Sequence, residues 1–143
     1  MSEESKGIIR RQIDELWSQG KLEVVDDIYA PDFVDKSPGL PPGIAAGREG
    51  VKQFVSMFRG AFPDLEGGAD ELIAEGDKVV VRWSVQATQQ GEFMGVPASG
   101  KRVSFSGTST YRIAGGKIAE EWTHADILGL MTQIGAIPEM ATA

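Results

Sequence analysis

The sequence predicts an α+β fold, and three observations carry that prediction. Up to Phe62 the apolar residues recur at helical spacing; beyond it they alternate in long segments rich in Val, Trp, Phe, Thr and Tyr; and glycine-bearing turns separate those segments. Helices first and a long-stranded sheet afterwards place the helices over one face of a curved antiparallel sheet. Such a sheet closes on its helices like a cone and leaves a pocket between the two layers, the normal form of a small-molecule site.

Residues 4 to 19 carry Ile8, Ile9, Ile13, Leu16 and Trp17 at helical spacing, and Gly20 stands as a stop. A short second helix over Leu22 to Ala30 buries Val24, Val25, Ile28 and Tyr29 before Pro31 ends it. Phe33 to Ser37 reads as a brief extended segment, and "SPGLPPG" (37 to 43) is a loop. From Arg48 to Phe62, Val51, Phe54, Val55, Phe58 and Phe62 form one stripe between Gly47 and Pro63, the strongest helical pattern in the chain. Strands are expected over Glu71 to Ala74, Lys78 to Gln89, Arg102 to Ile113 and Lys117 to Asp126. "EGDK" (75 to 78) and "AGGK" (114 to 117) supply glycines for hairpin turns, "GEFMGVPASGK" (91 to 101) joins two strands, and Leu128, Leu130, Met131 and Ile134 mark a last helical turn or two.

The composition narrows the function. A chain of 143 residues matches one domain spanning 1–143, large enough to bury a core without disulfides or a structural metal. No apolar run approaches the ~18 residues of a membrane span, and Met1-Ser-Glu-Glu-Ser-Lys lacks the pattern of a secretion signal. A cytoplasmic protein is expected. The absence of cysteine excludes thiolate nucleophiles and thiolate metal sites. A formal charge of −7 argues against nucleic acid, so a neutral or apolar small molecule is the expected ligand. One histidine and scattered carboxylates lack metal-ligand spacing. No glycine-rich phosphate fingerprint and no G-x-S-x-G element is present. Neither a metal nor a nucleotide cofactor is expected.

Alternation along the last strand sorts Ile118, Glu120, Trp122, His124 and Asp126 onto one face, with Lys117, Ala119, Glu121, Thr123 and Ala125 on the other. With the first face turned to the pocket, Asp126 lies in partly apolar surroundings, where desolvation suits a carboxyl to proton transfer, and His124 orients a carbonyl or shares its proton. A second reading stands beside this one: Asp126 precedes "ILGLM" and fits the N-cap of the last helix. "GREGV" (47 to 51) opens a helix where an anion can bind, though Arg48 more simply supports the loop. Trp17, Tyr29, Phe54, Met57 and Phe58 either line the pocket or fill the core. Arg82, Ser84, Gln86, Ser104 and Ser106 belong to the other sheet face, as an interface or a solvated surface.

Taken together, "FVDKSPG", "GREGVKQFVSMFRGAFPDL", "GEFMGVPASGK", "YRIAGGKIAEEW" and "DILGLMTQIG" resemble the SnoaL-like ester and polyketide cyclases of the nuclear-transport-factor-like superfamily, over about Ile8 to Gly135. The resemblance implies a cone-shaped α+β barrel, commonly a homodimer, with an interior pocket and no cofactor. It also implies an intramolecular aldol condensation in which an aspartate is the general acid/base. The matching residue is Asp126, with His124 as its partner. Trp17, Tyr29, Phe33, Lys36, Phe54, Phe58, Ser109 and Trp122 are the expected substrate-binding residues. The chain departs from many relatives at Lys36, Gln89 and Ser109, where they carry histidine. Lys36, if buried at the pocket, would pair with Asp126. Related readings are isomerase or epoxide-hydrolase chemistry, the latter with two carboxylates and an arginine such as Arg82. A reading of another class is a non-catalytic ligand-binding or dimerisation module.

Overall fold

The computed structural model describes residues 2–138. Helix α1 (Ser2–Arg11) runs directly into a π-helical segment (Gln12–Ser18), so the single helix expected over 4 to 19 widens at Gln12. Gly20, at φ 72°, ends it where the amide of Gly20 donates to the Leu16 carbonyl at 3.1 Å. Helix α2 (Val24–Ile28) stops sooner than the sequence suggested, because strand β1 (Tyr29–Asp35) already begins at Tyr29. Pro31 therefore lies inside a strand, which is allowed because β1 is a sheet edge and its pairing is interrupted between Tyr29 and Val34. Helix α3 (Arg48–Ala61) follows the 37 to 43 loop as its apolar stripe demands.

The remaining chain forms β2 (Glu66–Glu75), β3 (Lys78–Thr88), β4 (Arg102–Ala114), β5 (Lys117–Ala125) and helix α4 (Ile127–Gln133). Both hairpin turns form where expected, with positive φ at Gly76, Gly115 and Gly116. The sheet order is β1-β5-β4-β3-β2. Two features correct the expectation of a closed antiparallel sheet. The β1 strand runs parallel to β5, and among the described residues β1 and β2 remain unpaired edges, so the curved sheet is open. The β2 strand extends well upstream of Glu71, although Gly67 and Gly68 are poor strand formers, because β3 offers it a continuous partner from Val79 to Gln86.

One side of the sheet is covered by two apolar clusters. The first joins α1, the π segment, α2 and β1 to β3, β4 and β5 through Ile9, Leu16, Val25, Val81 and Ile118. The second joins α3 and α4 to β3, β4 and the β3–β4 loop through Phe58, Phe62, Phe93, Phe105 and Leu130. Gln89, fully buried, staples that loop: its amide nitrogen donates to the carbonyls of Gly91 and Val96, both at 3.2 Å, and its oxygen accepts from the Ser99 amide at 3.1 Å. No helix among the described residues is long and apolar enough to cross a membrane.

The feature that positions the site is a bulge in β5. The turn at Gly115 and Gly116 sets Ala114 opposite Lys117 and Ile113 opposite Ile118, but the next pair is Arg112 with Glu120, leaving Ala119 without a partner. One extra residue exchanges the faces of everything beyond it. Ile118 points into the core, and so do Glu121 and Thr123, whereas Glu120 and Trp122 point outward. The alternation read from Ile118 onward is thus reversed after Ala119.

Candidate active site

A cavity of about 500 Å³ lies between the sheet and the helices. Its apolar wall comes from the π segment and α3, which supply Trp17, Phe54 and Phe58, and from Trp83 and Phe105 on the sheet. Trp17 meets Phe54 and Phe58 edge to face, with ring centroids 6.0 and 5.8 Å apart. The loop from Ser37 to Ala45 and Met94 of the β3–β4 loop complete the enclosure toward the mouth, where the exposed His124 stands at the rim.

Four polar groups of this wall form one connected line. The Trp83 indole nitrogen donates to the Ser109 hydroxyl at 2.9 Å, the Ser109 and Thr123 hydroxyls share a bond of 2.7 Å, and the Thr123 hydroxyl donates to Glu121 Oε2 at 2.8 Å. An indole N–H only donates. The hydrogens therefore run from Trp83 through Ser109 and Thr123 to Oε2 of Glu121, each hydroxyl taking one and giving one. Ser109 and Thr123 face each other directly in the β4–β5 register. Gly107, two residues before Ser109, has room for no side chain, because a Cβ there would stand 2.4 Å from the Trp83 ring.

Glu121 is the group these surroundings perturb. Burial, with the Asp35 charge adding to it and the Thr123 hydrogen bond opposing it, pushes its carboxyl from 4.5 up to about 8. Asp35 also lines the cavity, held in a local turn in which its Oδ1 accepts from the Ser37 amide at 2.8 Å. Among the described residues, no lysine or arginine lines the cavity. Arg82, considered for epoxide chemistry, stands exposed on the outer sheet face beside Glu71, at 3.8 Å.

The structure brings Trp17, Tyr29, Phe54, Phe58 and Ser109 to the cavity. Phe33 is buried instead in the core, edge to face with Tyr29 at 4.7 Å. Lys36 and Trp122 stand on the outer face. Lys36 pairs there with Glu120, not with Asp126, and lies 5.6 Å above the Trp122 ring. Lys36 and then Arg112 hold the Glu120 carboxyl down at about 2. Asp126 is exposed, outside the cavity lining, and caps α4: its Oδ1 accepts from the Gly129 amide at 2.9 Å. Replacement of Asp126 by alanine is accordingly expected to lower stability by about 1 kcal/mol, and replacement by asparagine to leave it nearly unchanged, in parallel urea titrations.

Glu121, Thr123, Trp83, Gln12 and Tyr111 were not among the residues expected at the site. Extrapolating the hairpin register from the turn sets Trp122 opposite Ser109; the unpaired Ala119 sets Thr123 there. The pairing of two hydroxyl residues with a carboxylate two positions away was the available signal, but the bulge that brings them inward leaves no mark in the hydropathy pattern.

Comparison with known proteins identifies the family and the fold. A family model for the SnoaL-like polyketide cyclases matches residues 7–134. The nogalonic acid methyl ester cyclase of Streptomyces nogalater is 26% identical over 121 residues, which cover 83% of this chain and 89% of that protein. Among solved structures, TsrD from Streptomyces laurentii superposes with a TM-score of 0.86 at 27% identity, covering 96% of this chain and 98% of that one. IdmH from Streptomyces antibioticus superposes with a TM-score of 0.80 at 30% identity, covering 92% and 98%. The chain belongs to the SnoaL-like polyketide cyclase family, and so to enzymes of the lyase or isomerase type.

Proposed function

We propose that the chain catalyses a cofactor-independent, aldol-type ring closure of a neutral, hydrophobic molecule bearing several carbonyl groups, with Glu121 removing and returning the proton. The observation that carries this reading is the Glu121 carboxyl in an aromatic cavity, wired to Thr123 and raised to about 8, close to the range in which a carboxyl exchanges protons with a carbon acid. Ionised Glu121 takes the hydrogen from the carbon between two carbonyls. The resulting enolate carbon attacks a third carbonyl carbon, one C–C bond forms, and the new alkoxide recovers the proton from Glu121. The proton-transfer role expected of Asp126 thus moves back along β5 to the residue that the bulge turns inward.

Two carboxyls and no lysine or arginine among the described lining residues make the cavity unfavourable for a free carboxylate, which suits an esterified substrate. The similarity to an enzyme named for cyclising a methyl ester supports the same choice. A neutral β-keto ester, methyl benzoylacetate, is the probe. Its deuterium exchange in heavy water, followed by proton NMR, should rise with pH to a plateau with a midpoint near 8. Asp35→Asn keeps the acceptor of the local turn but deletes the charge that helps hold the carboxyl up, so the midpoint should move to lower pH. Exchange no faster than in buffer, or a rate without pH dependence, would sink the reading.

A further inference from the structure

The cavity contains a second polar group that proton transfer by Glu121 does not use. Gln12, in the π-helical segment, is 2% exposed, and its amide nitrogen donates to the Tyr29 hydroxyl at 3.1 Å and to the Tyr111 hydroxyl at 2.9 Å. An amide nitrogen has two hydrogens, so both are engaged. Each phenol oxygen thereby accepts one bond and retains its own hydrogen to give. Tyr29 and Tyr111 both accept from Gln12, and the Ser109 hydroxyl, which already takes the Trp83 hydrogen, stands beside the Tyr111 phenol. All three residues line the cavity. Burial first, and then the charge of nearby Glu121, pushes both phenols well above their ordinary range, so they remain protonated donors.

This arrangement meets a need of the reaction. When a base removes a proton from a neutral substrate, negative charge moves onto a substrate oxygen. In a cavity whose described lining includes no lysine or arginine, that charge must be met by O–H or N–H dipoles. The Trp83 N–H is already given to Ser109, and the Gln12 N–H groups are given to the tyrosines. We propose that Tyr29 and Tyr111, held by Gln12 as a positioning residue, form a two-donor site for the substrate oxygen that becomes an enolate. Its place in the reaction rests on the reading of Glu121 as the base; its capacity to bind an oxyanion does not.

The probe is 4-nitrophenol, whose phenolate resembles an enolate oxygen on a ring and absorbs at longer wavelength than the neutral phenol. Below the free phenol's own ionisation midpoint, where Glu121 is protonated, the wild-type protein should bind it as the phenolate. The bound band should appear in the visible spectrum and be displaced by methyl benzoylacetate. Tyr29→Phe and Tyr111→Phe should each weaken phenolate binding about ten- to hundredfold, the scale for removing one hydrogen bond to a charged group, and the double variant should bind no phenolate. Circular dichroism and thermal melts establish that the variants are folded, and the wild-type band is a test that needs no variant. A wild-type spectrum without the phenolate band, or a band undiminished in both folded single variants, overturns the proposal. Glu121→Gln separates the two readings. A tyrosine-dependent band beside unaltered deuterium exchange in that variant would remove the base and keep the oxygen site, whereas exchange lost in that variant without any band in the wild type would do the reverse.

Discussion

Glu121→Gln is expected to slow deuterium exchange of methyl benzoylacetate by about 10²- to 10⁴-fold, the contribution of a positioned general base, in a protein that is otherwise folded. Glutamine has the shape of glutamate and can still accept the hydrogen that Thr123 gives to Oε2. The variant therefore removes the proton-accepting oxygen while leaving the line from Trp83 to Thr123 with a terminus. A second signature comes from stability. The carboxyl lies at 4.5 in the unfolded chain and near 8 in the fold, so the folded state holds its proton more tightly. Stability from this group is fully present below 4.5 and is lost as pH rises through about 8. Melting temperatures of wild type and variant should diverge across that window, with the variant relatively more stable at the alkaline end. Parallel pH profiles would show that the cavity does not hold the proton.

The largest effect on stability is expected at Phe62. Its ring is fully buried where α3 ends, with centroids 6.1 Å from Phe58 and 5.3 Å from Phe93. Phe62→Ala should cost about 3–5 kcal/mol, a large part of the roughly 5–15 kcal/mol that stabilises a domain of ordinary size. The site resists collapse because its neighbours are fixed by other bonds. The Phe62 amide donates to the Phe58 carbonyl at 2.7 Å, and Phe93 is held in a two-way backbone bridge with Val96 at 2.9 and 2.8 Å. Phe93 also lines the cavity, so the loss should extend to ligand affinity. Urea unfolding of both proteins measures the first effect. A cost below about 1 kcal/mol would mean that the β3–β4 loop moves in to fill the space.

Much of the architecture is legible because it depends on near neighbours. The stripe from Val51 to Phe62 forms the helix it suggests, and the glycines of "EGDK" and "AGGK" turn where the chain needs positive φ. Where the reading erred, a distant partner prevailed over local preference. Gly67 and Gly68 join a strand because β3 supplies the hydrogen bonds. Pro31 enters one because β1 is an edge. Gln89 and Lys36 serve as a loop staple and an outer ion pair.

The α+β class, most of the element order, the family, and the aromatic residues Trp17, Phe54 and Phe58 of the cavity wall are legible along the chain, because each rests on periodicity or on a contiguous motif. Which carboxyl faces the cavity is settled by folding. A strand's alternation is local, but its phase is set by the unpaired Ala119, which exists only in the pairing of β5 with β4. The same holds for the meeting of Gln12, Tyr29 and Tyr111, which are brought together from the π-helical segment, the first strand and the fourth. Burial converts those meetings into chemistry, raising Glu121 and keeping both phenols protonated, and burial is a property of the folded chain.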